Sequence, residues 1–159
     1  MVNNKNNILA IMPPDKRSRL LGDILTLMTA SSAHADYKIK HFSEVVLPPV
    51  QLNQYRIYHD ASNRPVGFVS WAKFSKEVED KFLNESKPLT LEEWASGDII
   101  YIMEFIAPFG HAKRIISDLK KHYPNHKAHA VRFNPATNCK KLMVFASEGN
   151  VIDERKAEG

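Results

Sequence analysis

The segment Ile99-Ile100-Tyr101-Ile102-Met103-Glu104-Phe105-Ile106 constrains this chain more than any other. Its nearly continuous apolar run has the length of one strand, and such a run predicts a central strand covered on both faces. Glu104 interrupts it. A charged carboxylate left unpaired in an apolar interior is costly, so Glu104 must be protonated, paired, or facing a cleft. Two readings stay open at this point. Glu104 is either a structural acid paired with an Arg or Lys at a sheet edge, or a cleft acid with a chemical task.

The flanking sequence supplies elements of both kinds. Lys16 to Thr29 reads as a helix, with Leu20, Leu21, Ile24, Leu25, Leu27 and Met28 at three- and four-residue spacing and Asp15 or Ser18 available as caps. Gly22 inside it costs about 1 kcal/mol relative to Ala without overturning the pattern. The polar small-residue stretch Thr29–Ala33 ends the periodicity, so His34 falls in a turn just beyond the helix. Pro48-Pro49 punctuates the chain before a hairpin, Gln54–His59 and Val66–Ala72 around an Asp60–Arg64 turn. Ser75–Asn84 reads as a helix with Val78 and Phe82 on one face. Thr90-Leu91-Glu92-Glu93 has capping-box spacing and predicts a short helix ending near Gly97. After the buried strand, Pro108-Phe109-Gly110 breaks the chain, and His111–His122 forms an amphipathic helix with Ala112, Ile115, Ile116 and Leu119 inward. Ala128–Phe133 and Leu142–Ala146 are two further strands around an Asn134–Asn138 turn. The order predicts an α+β (α/β-like) fold, a mixed sheet flanked by helices.

Composition narrows the class. With 159 residues, 43% of them hydrophobic, the expectation is one domain over 1–159, with residues 1–14 a loose N-terminal arm. No stretch approaches the ~20 apolar residues of a membrane span, and the N-terminus lacks a signal-peptide pattern, so the expected location is the cytoplasm. Cys139 is the single cysteine, which excludes an internal disulfide and a thiolate metal cage. The net charge of +4 suits an acidic partner, whether nucleic acid, membrane surface or protein. Nucleic acid is disfavoured because no strand interleaves aromatic and basic residues into a stacking platform.

Few residues carry chemistry. His34 suits a general base, or simply a helix-end cation, and Ser31 and Ser32 suit an orienting or oxyanion role, or simply helix termination. His122, His126 and His129 straddle Pro124-Asn125 with no carboxylate among them, and no metal site is expected. The junction at Phe109, Gly110 and His111 runs from a strand through a tight turn into a helix start. Free N–H groups there, followed by Lys113 and Arg114, favour an anionic ligand such as a phosphate, or form a plain connection with a basic solvated face. A non-catalytic basic module that escorts an acidic protein is the alternative to an enzyme.

The ordered set Leu21-Gly22, Ser31 to His34, Leu47-Pro48, Asn53-Gln54-Tyr55, Ser70-Trp71-Ala72, Trp94-Ala95-Ser96-Gly97-Asp98 and Ile106-Ala107-Pro108-Phe109-Gly110 resembles the RTX toxin-activating lysine acyltransferases. That resemblance covers roughly Leu21 to Gly149. It implies a GNAT-type fold, a homodimer, an acyl-acyl carrier protein donor with a phosphopantetheine thioester, no permanently bound cofactor, and an RTX protoxin lysine as acceptor. It puts the family's catalytic histidine on His34 and its associated serine on Ser31. The family's catalytic aspartate falls on Glu104, a departure that lengthens the acid by one methylene. The phosphate of the donor falls to the α-helix start at Phe109, Gly110, His111, Lys113 and Arg114.

Overall fold

A computed structural model describes residues 11–134, 139–145 and 151–157. Helix α1 (Pro14–Ala30) spans the first predicted helix. Neither Asp15 nor Ser18 caps it. Pro13 occupies the cap position and Pro14 the first turn, where a missing N–H costs nothing, so Asp15 lies inside the helix. Leu20, Ile24, Leu27 and Met28 are buried, while Leu25 projects outward. The predicted N-terminal arm falls mostly outside the described residues.

After α1 come a turn, the short helix α2 (Ile39–His41), a π-helical segment (Phe42–Val46) and α3 (Leu47–Gln51). Pro48 and Pro49 thus sit in the first turn of a helix, where proline is tolerated, rather than in an open break. The hairpin follows as β1 (Tyr55–His59) and β2 (Pro65–Phe74), antiparallel, with Tyr55 opposite Ser70 and Ile57 opposite Phe68. Asp60 closes its turn by accepting from the backbone N–H groups of Ser62 and Arg64.

Helix α4 (Lys76–Asn84) starts at Ser75, whose hydroxyl accepts from the Val78 N–H as an N-cap. The helix predicted from Thr90 does not form. Its reciprocal capping contacts are made, from Thr90 N–H to Glu93 and from Glu93 N–H to the Thr90 hydroxyl. The chain then stops after one turn because Lys73 captures it: the Lys73 N–H donates to Trp94 O, and the Ser96 and Gly97 N–H groups donate to Lys73 O.

Strand β3 (Ile99–Ile106) matches the expected bounds, with Tyr101, Glu104 and Ile106 buried and the other five residues half-buried. Helix α5 (Ala112–His122) precedes β4 (Ala128–Asn134), which runs parallel to β3 with Tyr101 opposite His129. Strands β5 (Cys139–Phe145) and β6 (Val151–Ala157) add antiparallel pairs. The sequence did not anticipate β6, and most of the predicted Asn134–Asn138 turn lies outside the described residues. Strand order is β1-β2-β3-β4-β5-β6, a mixed sheet, so the fold is α+β with helices against a sheet, as the sequence predicts.

The chain forms two compact units, residues 1–70 with 104–116, and residues 71–103 with 117–159. In the first, Leu20, Ile24, Leu27 and Met28 of α1 join Val46, Val50, Phe68 and Ile106 in one apolar core. Phe68 lies next to Gly67, whose side of β2 carries α5: a Cβ on Gly67 would fall 2.2 Å from Ile115 Cδ1. Alternation along β2 therefore gives one face to α1 and the other to α5. Ile115 is buried there and Ile116, a further 100° around the helix, is exposed, contrary to the inward face read from the sequence. In the second unit, Phe74, Phe82 and Tyr101 form an aromatic triangle with ring centroids 5.1–5.5 Å apart.

Candidate active site

The end of α1 builds the site. Ser31 leaves helical geometry at φ −102°, ψ 117°, and its N–H donates to Met28 O. Its carbonyl then accepts from the N–H groups of His34 and Ala35, and His34 O accepts from the Tyr37 N–H. Ser31, His34 and Tyr37 thus sit three residues apart in successive tight turns that aim their side chains together. Strand β3 brings the fourth member, Glu104, from 70 residues away.

His34 is held at both ring nitrogens. Ser31 Oγ lies 2.6 Å from Nδ1, and Glu104 Oε2 lies 2.8 Å from Nε2. A carboxylate only accepts, so it holds a proton on Nε2 and leaves the lone pair of neutral imidazole on Nδ1, where the Ser31 hydroxyl donates. The other carboxylate oxygen, Oε1, accepts from Tyr37 O–H at 3.2 Å. Burial, and then the charge and hydrogen bond of Glu104, push the Tyr37 phenol up to about 12. The side chains of His34 and Glu104 are only 11% and 7% exposed, which strengthens their mutual electrostatics relative to water. No Lys or Arg pairs with Glu104 among the described residues, so its partner is the histidine.

Such an arrangement takes up a proton at Nδ1 and stabilises the resulting imidazolium through Glu104. It also supplies a hydroxyl next to the base. Sequence reading anticipated His34, Ser31 and Glu104, and they meet. It missed Tyr37, whose only signal was its position three residues after His34 in the same turn.

The second predicted group lies at the start of α5. Gly110 has φ +84°, a conformation that favours glycine, and it turns β3 into the helix. Phe109 is exposed, as are Lys113 and Arg114, and His111 is half-buried. No hydrogen bond or ion pair among the described residues joins these five to the His34 cluster. The three remaining candidate histidines go separate ways. His122 bonds Asp118, His126 bonds Pro124 O, and His129 Nδ1–H donates to Ile100 O while its ring stacks on Tyr101.

Residues 14–146 match the model of the RTX toxin acyltransferase family. The chain belongs to that family. This acyltransferase is 42% identical over 118 residues to an uncharacterized protein of Synechocystis sp., covering 73% of the chain and 80% of that protein. It is 34% identical over 143 residues to the protein-lysine myristoyltransferase HlyC of Escherichia coli, covering 90% of the chain and 82% of the relative. It is 32% identical over 140 residues to the leukotoxin-activating lysine-acyltransferase LktC of Mannheimia haemolytica, covering 87% and 82%. Among the described residues no helix is long and apolar enough to cross a membrane.

Proposed function

We propose that this acyltransferase moves a fatty-acyl group from acyl carrier protein to an internal lysine of an RTX protoxin, with His34 as the general base. The observation that carries the reading is the double hold on His34, Ser31 at Nδ1 and Glu104 at Nε2, in a chain of this family. With Nε2 committed to Glu104, Nδ1 is the basic nitrogen. It takes the proton of the substrate ammonium, relayed by the Ser31 hydroxyl or directly once that hydroxyl turns aside. The neutral amine attacks the thioester carbonyl, the C–S bond breaks, and the nitrogen's second proton passes to the departing sulfur, which leaves as the thiol of the carrier's phosphopantetheine arm. Backbone N–H groups near β3 hold the developing oxyanion. General-base assistance of this kind is worth about 10²–10⁴-fold in rate. A covalent acyl-histidine formed at Nδ1 is the alternative route.

The donor's phosphate is assigned to the turn at Phe109, Gly110 and His111, because the first N–H groups of a helix such as α5 lack intrahelical acceptors and Lys113 and Arg114 add positive charge. Carrier proteins are acidic, which gives the net charge of +4 a use. A GNAT-type fold, a homodimer and a cytoplasmic location belong to the same reading.

The test is direct. The purified protein is incubated with acyl-loaded carrier and its cognate protoxin, and toxin peptides are read by mass spectrometry. An acyl adduct on one or two internal lysines, absent without enzyme, supports the reading. An unmodified toxin, with the carrier bound but not discharged, would favour the non-catalytic escort.

A further inference from the structure

We infer that Tyr37 is a positioning residue for the acid–base pair, holding Glu104 so that one carboxylate oxygen is offered to His34. The inference rests on the reading of His34 and Glu104 as the reacting pair. Its geometry starts in the turn: His34 O accepts from the Tyr37 N–H at 3.0 Å, which fixes the two side chains on one side of the backbone. The Tyr37 ring lies 5.2 Å from the His34 ring, and His41 flanks it at 5.5 Å. So placed, its hydroxyl donates to Oε1 of Glu104 while Oε2 faces Nε2 of His34.

Glu104 needs such a partner. A glutamate reaches its target through three rotatable bonds, and freezing them costs rotamer entropy that a single hydrogen bond recovers poorly. Glu104 is only 6% exposed, so water does not readily replace a missing donor at Oε1. The phenol, pushed up to about 12, remains a donor throughout the range in which histidine titrates. Because its hydrogen is committed to Glu104, Tyr37 is not itself the base. Among the described residues, the titratable side chains that bond or stack at the pair are Tyr37 and, behind its ring, His41. Ser31 faces Nδ1 as a neutral hydroxyl.

Withdrawing the Tyr37 hydrogen bond frees the Glu104 rotamers and lets its carboxylate turn out of line with Nε2 of His34. The imidazolium is then held less tightly, and the base gives up its proton at lower pH. A residue that merely fills space has no such effect.

The experiment compares wild type, Tyr37→Phe, Glu104→Gln and the double variant, by turnover against pH and by NMR titration of the His34 ring nitrogens. Tyr37→Phe should lower kcat about tenfold with KM for the loaded carrier unchanged. It should also move the acid limb and the His34 titration downward by about half to one pH unit. In the Glu104→Gln background the same substitution should leave the titration where it was. A Tyr37→Phe variant with wild-type turnover and an unmoved titration overturns the inference, as does a shift of equal size in both backgrounds. Wild-type turnover in Glu104→Gln sinks the prior reading of the pair and the inference with it. A slow Glu104→Gln beside a normal Tyr37→Phe removes only Tyr37.

Discussion

His34 Nε2 and Glu104 Oε2 stand 2.8 Å apart, although one sits in the turn after α1 and the other near the end of β3. With the carboxylate at Nε2, the lone pair of neutral imidazole is left on Nδ1, where the proposed mechanism places the proton transfer. Replacing His34 by Ala should therefore abolish acyl transfer. The variant should still fold, because α1 is anchored by Leu20, Ile24, Leu27 and Met28 and not by the turn. Among the described residues Glu104 then keeps only Tyr37, so stability should fall by about 1–3 kcal/mol. Mass spectrometry of the toxin and a thermal melt check both; near-normal transfer by the folded variant would remove His34 from the mechanism.

Glu104 admits a graded test. Glutamine is nearly isosteric, yet its amide turned toward Nε2 puts N–H against N–H, or its oxygen must turn there and the amide face Tyr37. Either the pair is lost or the proton moves to Nδ1, where it blocks the base. Turnover of Glu104→Gln should drop by about 10²–10⁴-fold with most stability retained. Glu104→Asp should keep partial activity, since the charge survives while one methylene of reach is lost. Turnover and melting temperature of the two variants decide it. If Gln works like Glu, the residue is a structural acid and exposed Asp98 becomes the next carboxylate to replace.

Much of this site was legible in the sequence because single residues broke strong patterns. Glu104 interrupts an apolar strand, and His34 follows the end of a clear helical period. What the sequence left open was the partner of Glu104, since pairing across 70 residues depends on tertiary packing. Tyr37 was missed for the opposite reason: an aromatic residue in a polar turn breaks no pattern. Local signals misled where a tertiary contact outweighed them. The Thr90–Glu93 box forms its hydrogen bonds, but the edge of β2 at Lys73 takes the next residues before a helix can grow. Ile116 obeyed the apolar count of its helix but not its geometry, because the side turned to Gly67 carries Ile115 and leaves Ile116 exposed.

Carrier binding through the start of α5 should be electrostatic. Lys113 and Arg114 are exposed in its first turn, and Lys120 and Lys121 follow in its last. Screening acts over about 8 Å at physiological ionic strength, so affinity for acyl carrier protein should fall steadily as salt is raised. Lys120→Glu/Lys121→Glu should weaken binding and flatten the salt dependence without changing the melting temperature. Titration calorimetry at three salt concentrations reads this, and salt-insensitive binding would move the carrier to another surface.

Away from the site, Tyr101 and Glu79 set an acid limit on stability. Tyr101 O–H donates to Glu79 Oε1 at 2.6 Å, and Lys76 Nζ donates to Oε2 at 2.8 Å. Tyr101 is fully buried and Glu79 is 7% exposed, so the pair ties α4 to β3 through a site with little water. Burial by itself pushes the Glu79 carboxyl up. The hydrogen bonds from Lys76 and Tyr101, with the positive charge of Lys76, outweigh burial and hold it below the usual 4.5. A carboxyl depressed on folding contributes stability above its unfolded value, and that contribution is lost as pH falls through the folded value. Tyr101→Phe removes one of the groups that lower it, so the folded value rises and acid unfolding should begin at higher pH. At neutral pH the same substitution should cost about 1–3 kcal/mol, because Oε1 stays buried without its donor. Glu79→Gln should flatten the acid limb and make the further change Tyr101→Phe nearly silent toward pH. Urea melts at pH 3, 5 and 7 measure all three variants. Equal acid sensitivity in wild type and Glu79→Gln would show that some other carboxyl sets the limit.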